Sequence, residues 1–380
     1  MSIQAFAKNS LLSKCKNIAY LLLQVMKRQF SPGRPKVFFR YQNEFTHPSF
    51  KRFYKTPPLN WANAYSYELA HWINYPAWID HKPFILEIND HPLSAVSYLN
   101  RTIFEPSDML GHIQDAKKIY MHDLCKKILV PDSGMATTFE RYFGASVKDK
   151  LSIVKCPGCI TKYADISEIE KVKHGVACLA SDYELKGVDL ILKAWASIHN
   201  KKGWLLYLAC PNIPLIILKE IQKDTSIVVI NKAPLSETEK HHILTNCSIT
   251  LAPTHIHGGA NIVEGMEFGH AVVHFATHSS SYDAVGKKVD VPYHFYSSEY
   301  YGIKWKSIVD FKSLLVRDKQ DGRFNLVVTD LANTIFSLID VPENLILMRK
   351  ISFSAAAGPL SLAERNRLLK AIYLEIIGIN

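Results

Sequence analysis

Three stretches combine residue types that bind anions or move protons. The first is Ser181-Asp-Tyr-Glu-Leu-Lys186-Gly187, between an apolar run and a helical one. A lysine in a strand-to-helix loop can meet a phosphate, assisted by the free N–H groups and partial positive charge of the helix amino end. The alternative is a solvated lysine in a polar turn. The second is Pro253-Thr-His-Ile-His-Gly-Gly-Ala-Asn-Ile-Val-Glu264. Gly258 and Gly259 let backbone N–H groups approach an anion closely. Glu264 falls about one turn into the following helix, where a carboxylate facing a cleft accepts hydrogen bonds from two ribose hydroxyls. The alternative is an exposed helix glutamate behind a plain glycine turn. The third is Asn89-Asp90-His91, at the end of an expected strand. Asp90 or His91 there can exchange protons with a reacting group. Asn and Asp also favour such turns by bonding their own backbone.

Histidines cluster at His241, His242, His255, His257, His270, His274 and His278. The pair His255 and His257 has metal-ligand spacing. Amidohydrolase barrels carry such a pair, but they need eight strand–helix units after it, and the chain ends at Asn380, too soon for them. The expectation is therefore no metal. Contact of His255 or His257 with a phosphate or sugar competes with a solvated loop role. Cys156-Pro-Gly-Cys159 is a single CxxC with no second pair at zinc spacing, and it reads as linker.

These residues need elements to position them. Ser31-Pro-Gly-Arg-Pro35 breaks the chain. After it, residues 36–40, 84–88, 127–130 and 152–154 read as strands, and 137–142 as a helix. Beyond residue 159 strands are expected at 176–179, 204–208, 226–230, 248–252 and 271–275. Helical patterns lie between them at 189–198, 215–221, 236–244 and 261–268, the third opened by the capping box Ser236-Glu-Thr-Glu239. Alternating strands and helices demand a parallel sheet covered on both faces. Ligands of such sheets sit beyond the carboxyl ends of the strands, the location of the first two stretches.

At 380 residues two domains are expected. Hydrophobic residues at 48% and charged residues at 21% exclude a disordered chain. Seven scattered cysteines, an odd number, read as reduced thiols in a cytoplasmic protein. The net charge of +10 suits a phosphorylated ligand or an anionic membrane. It is spread without a basic run or an RNA-binding signature, so no nucleic-acid partner is expected. The apolar run at 18–23 stops at Gln24, short of the ~20 residues a membrane span needs. Lys8, Lys14, Lys16, Lys27 and Arg28 surround it, so the segment reads as a basic amphipathic helix for an anionic membrane face, or as a helix packed on the first domain.

Residues 176–275 resemble the donor domain of family 4 glycosyltransferases. The resemblance rests on Lys186-Gly187-Val-Asp-Leu-Ile-Leu-Lys-Ala-Trp195, Leu235-Ser-Glu-Thr-Glu239, Leu251-Ala-Pro253 and Glu264-Gly-Met-Glu-Phe-Gly-His-Ala-Val-Val273. Residues 128–158 resemble the family's passage into the interdomain linker, and 348–354 and 368–373 its closing segment.

The resemblance implies an α/β protein of the GT-B fold, with two facing Rossmann-like domains, parallel sheets and a C-terminal helix. It implies a basic helix or tail over 1–34, an acceptor-side domain over 35–157, a donor domain over 158–360 and a closing helix over 361–380. The implied activity is metal-free hexosyl transfer, with retention, from a nucleotide-diphosphate sugar to a glycan or lipid-linked glycan. The implied setting is cell-envelope polysaccharide biosynthesis at the inner membrane face. Lys186 would meet the diphosphate, Glu264 the ribose, and Gly258 and Gly259 the donor sugar and phosphates. Two positions depart from the pattern. Ser181 stands where the family often has an arginine, and Ile256 stands where it has the earlier of two glutamates. His255 or His257 then substitutes, or the chain is a silent relative that binds glycans or scaffolds a partner. A sugar-nucleotide epimerase on the same fold is the other alternative, with His91, His255 and His257 as acid–base groups.

Overall fold

Runs of β-branched and large apolar residues become strands, and the inner ones, such as Leu69–Ile73, Phe84–Glu87 and Ala271–Phe275, are buried on both faces, as parallel sheets require. The computed structural model describes residues 37–40, 68–73, 82–88, 92, 109–155, 166–232, 235–255, 259–276, 285–291 and 308–378. The N-terminal basic segment, Asp90, His91, Cys156, Cys159, His257, Gly258 and His278 lie outside the described residues.

The first half supplies β1 (Val37–Arg40), β2 (Leu69–Ile73), β3 (Phe84–Glu87), α1 (Met109–Tyr120), β4 (Cys125–Val130), α2 (Ser133–Phe143) and β5 (Leu151–Ile153). Its five strands form one parallel sheet in the order β1-β2-β3-β4-β5. Asp132 caps α2 by accepting from the Met135 N–H at 2.8 Å. Tyr120 packs edge to face on Phe139 and Phe143 in the core of this half.

The second half supplies α3 (Ile166–Ile169), β6 (Gly175–Leu179), α4 (Val188–Ser197), β7 (Leu205–Ala209), α5 (Leu215–Ile221), β8 (Ile227–Ile230), α6 (Glu237–Thr245), β9 (Ile249–Ala252), α7 (Gly259–Glu267), β10 (Ala271–Phe275) and β11 (Lys287–Val289). Four helices follow: α8 (Ile308–Gln320), α9 (Asn325–Asp340), α10 (Pro342–Ala357) and α11 (Leu362–Ile377). The six strands are again parallel, in the order β11-β10-β9-β6-β7-β8. The chain runs outward from β6 to β8, then returns to lay β9 on the other side of β6. The order therefore reverses between β6 and β9, and a crevice opens there outside the strand ends.

The expected strands are all present, with ends shifted by one or two residues. β2 and β11 were not anticipated. Leu69-Ala-His-Trp-Ile73 is fully buried but short, and its central histidine hides the apolar pattern.

Helix α11 returns to the first sheet: its Leu369 and Tyr373 pack on Leu69 and Ile85. Arg365 of α11, only 4% exposed, donates to both oxygens of Glu87 at 2.7 and 2.6 Å and to the Lys155 carbonyl at 3.2 Å. His71 joins the cluster, 3.1 Å from Glu87 and 2.6 Å from the Tyr373 hydroxyl. Burial alone would raise the Glu87 pKa, but Arg365 and His71 outweigh it and hold the carboxyl at about 2. One buried charge group thus ties the closing helix to the carboxyl end of β3. Among the described residues no single helix is long and apolar enough to cross a membrane.

Candidate functional site

The loop from β6 to α4 is built around Asp182. Its Oδ1 accepts from the backbone N–H of Glu184 at 3.0 Å and of Leu185 at 2.9 Å. Its Oδ2 accepts from Asn212 at 3.2 Å and from Lys312 of α8 at 2.6 Å. Burial opposes ionisation of this carboxyl, but the bonds from Lys312, Leu185 and Asn212 prevail and lower its pKa. Lys319, also on α8, grips Asp189 in the first turn of α4 at 2.8 and 2.9 Å. Two lysines of α8 therefore fix the entry to α4.

Gly187 ends this loop in the left-handed region, with φ 62°. A Cβ there would lie 2.3 Å from the Pro253 carbonyl oxygen. Only glycine lets the β6 loop approach the β9 loop so closely. The two loops are also bonded directly, His255 N–H to Leu185 carbonyl at 2.9 Å. Lys186 then reaches across the crevice and donates to Thr254 Oγ1 at 3.2 Å. From α7, Asn261 Nδ2 donates to the Leu179 carbonyl at 2.6 Å. A small cavity at the switch point is lined by Leu179, Ala180, Lys186, Pro253, Thr254 and Asn261, among others. It joins one lysine, one hydroxyl and one amide just ahead of the amino end of α7, a setting for an anion.

Glu264 follows Asn261 by one turn of α7, and side chains three apart share a helix face. It is not among the cavity-lining residues. Its carboxyl is 1% exposed and accepts from Lys240 of α6 at 2.6 Å. The sequence reading had Glu264 open to a cleft; in the structure it is covered and held by a lysine. Gly265 explains the burial, because α7 rides so close to β9 that a Cβ there would sit 2.6 Å from Thr250 Oγ1.

His255 is fully buried, its ring 5.0 Å from that of Phe275 and 5.7 Å from that of Phe324. Burial, then Lys319 and Lys186, push its pKa well below the usual imidazole value. It is a neutral ring in the core, directed away from open solvent, which departs from the catalytic reading. His270 bonds Thr250 Oγ1 at 2.8 Å and the Leu244 carbonyl at 2.9 Å, a packing role. His274 is buried in β10, while His241 and His242 are exposed on α6. Ser181 is exposed and is not among the cavity-lining residues. Gly259 opens α7. No group of three or more His, Cys, Asp or Glu side chains among the described residues is placed to hold a metal.

Sequence reasoning assigned no role to Asp182, Thr254, Asn261, Lys240 or Lys312. Asp182, Thr254 and Asn261 lay inside the chosen motifs, as polar residues at loop and helix starts. Lys240 and Lys312 gave no local signal, since their partners are 24 and 130 positions away in sequence.

Two parallel Rossmann-like sheets, a crevice at the second sheet's switch point and a C-terminal helix returning to the first sheet constitute the GT-B fold. Solved structures share it. HepE from Anabaena, in complex with UDP and glucose, aligns with a TM-score of 0.52 at 12% identity, over 82% of this chain and 79% of that one. WaaG, a glycosyltransferase involved in lipopolysaccharide biosynthesis, aligns at 0.51 and 11% identity, over 80% and 77%. The pneumococcal O-GlcNAc transferase GtfA, in complex with UDP and GlcNAc, aligns at 0.51 and 14%, over 78% of this chain and 53% of that one. No protein-family profile matches the chain, and no curated protein matches it at significance.

Proposed function

We propose that this chain is a glycosyltransferase of the family 4 type, moving a hexosyl group from a nucleotide-diphosphate sugar to a glycan or lipid-linked glycan. The observation that carries this reading is Lys186, held by a glycine-limited loop contact at the switch-point crevice of a GT-B fold. The bond from the anomeric carbon to the diphosphate breaks, and a bond to the acceptor oxygen forms on the same face of the sugar. The acceptor hydroxyl gives its proton to an oxygen of the departing diphosphate. The Lys186 ammonium and the N–H groups opening α7 offset the charge that gathers on the departing diphosphate. That charge requires no metal, and we assign none. The family pattern assigns the ribose to Glu264, one turn of α7 beyond the cavity-lining Asn261 and paired with Lys240. We place the acceptor reaction at the cytoplasmic face of an inner membrane, in cell-envelope polysaccharide synthesis, with the basic N-terminal segment as the anchor.

The silent-relative reading has its own support: Ser181 and Ile256 stand where the family carries charge, and His255 is enclosed by Phe275 and Phe324. An acid–base epimerase is disfavoured by the same enclosure of His255. A panel of nucleotide sugars tests all three. Transfer is expected to release nucleoside diphosphate only when acceptor is present. Lys186→Ala is expected to weaken donor binding by roughly ten- to a hundredfold, the value of one charge-assisted hydrogen bond. Unchanged affinity in that variant overturns the assignment, and binding without turnover supports the silent relative.

A further inference from the structure

The Glu264–Lys240 pair calls for a reason beyond stability. A carboxylate 1% exposed and an ammonium 14% exposed both lose most of their hydration. Such buried pairs seldom add net stability over apolar replacements. This one sits on the α7 face that also carries Asn261, the residue lining the switch-point cavity. Lys240 is itself anchored. The start of α6 is fixed by a capping box in which the Ser236 hydroxyl accepts from the Glu239 N–H at 3.2 Å and the Glu239 carboxylate accepts from the Ser236 N–H at 3.0 Å. Lys232 bonds Glu239 in turn. Lys240 lies one turn into this fixed helix and donates to Glu264 Oε1 at 2.6 Å.

We propose that Lys240 is a positioning residue of the donor site: it occupies one oxygen of the Glu264 carboxylate and sets its rotamer, aiming the group at ribose hydroxyls. The inference rests on the donor reading above and extends it to a residue on a different crossover helix. Its consequence is selective. Lys240 governs recognition of the nucleoside part of the ligand, whereas Lys186 governs the diphosphate.

The test is calorimetric titration of the full chain with UDP, ADP and GDP to find the nucleotide bound, then with its 2′-deoxy analogue and with inorganic pyrophosphate. Lys240→Met is expected to weaken the nucleoside diphosphate about tenfold, to leave pyrophosphate within twofold, and to erase the preference for ribose over 2′-deoxyribose. Lys240→Arg is expected to restore most of that preference. Lys240→Gln carries the same test should Lys240→Met fail to fold. An intact ribose preference in Lys240→Met or Lys240→Gln overturns the inference. Equal losses for pyrophosphate and nucleotide also overturn it, since they report general damage. The donor reading stands or falls separately: it stands if Lys186→Ala weakens pyrophosphate and nucleotide alike. It falls, taking the inference with it, if the wild-type chain binds none of the three nucleotides.

Discussion

Replacing Gly187 with alanine tests the geometry on which the candidate site is built. The added methyl carries two costs. A left-handed backbone, φ 62°, costs an L-residue about 1 kcal/mol. The Cβ would also sit 2.3 Å from the Pro253 oxygen and 3.3 Å from the Phe275 ring, so the β6 and β9 loops must part by about 1 Å. Forced repacking of that kind costs roughly 1–3 kcal/mol. The sum is about 2–4 kcal/mol, which lowers the melting temperature by roughly 4–16 °C at about 2–4 °C per kcal/mol for a domain of this size. Separating the loops also stretches the 3.2 Å bond from Lys186 to Thr254, so diphosphate affinity is expected to fall together with stability. Scanning calorimetry and titration with UDP read the two effects. A Gly187→Ala protein that melts within a degree of wild type and binds UDP as tightly refutes the close approach and the positioning of Lys186 by it.

Stability is expected to fall as pH drops below about 6.5. Burial lowers the pKa of His274 to about 4, and burial with Arg349 lowers that of His270 to about 3. Both imidazoles are neutral in the fold, whereas the unfolded chain protonates them near 6.5. The unfolded state therefore binds more protons between those values, and each histidine forfeits about 2 kcal/mol by pH 5. Urea titrations at pH 7.5, 6 and 5 check this, and coincident midpoints would contradict it. At the closing helix, Arg365→Met leaves Glu87 buried without its cation and is expected to cost roughly 3–5 kcal/mol. The double variant Glu87→Met with Arg365→Met should recover much of the loss. A single-variant cost under about 1 kcal/mol would show that the pair does not anchor α11.

The second sheet was largely legible because its signals are local. Its inner strands are apolar runs such as Ala271-Val-Val-His-Phe275, and the start of α6 carries the cap Ser236. The first sheet was harder to read. Leu69-Ala-His-Trp-Ile73 hides a strand behind a histidine, because the partners that make His71 tolerable in a core are Glu87 and Tyr373, remote in sequence. The same limit applied at the site. The place of Lys186 at the switch-point cavity follows from a lysine between strand and helix. The covering of Glu264 by Lys240, and the enclosure of His255 between two phenylalanines, depend on how α6, α8 and α9 come to rest against the sheet.

The sequence by itself determined nine of the eleven described strands and the helices between those of the second sheet, that the strands run parallel, and which loops leave their carboxyl ends. Periodicity and capping are properties of neighbours along the chain, and they need no knowledge of the rest. Tertiary structure alone decided the charge partners: Lys240 for Glu264, Lys312 for Asp182, Arg365 for Glu87. A buried carboxylate needs a cation within a few ångströms, and only the folded arrangement of distant helices determines which lysine or arginine arrives there.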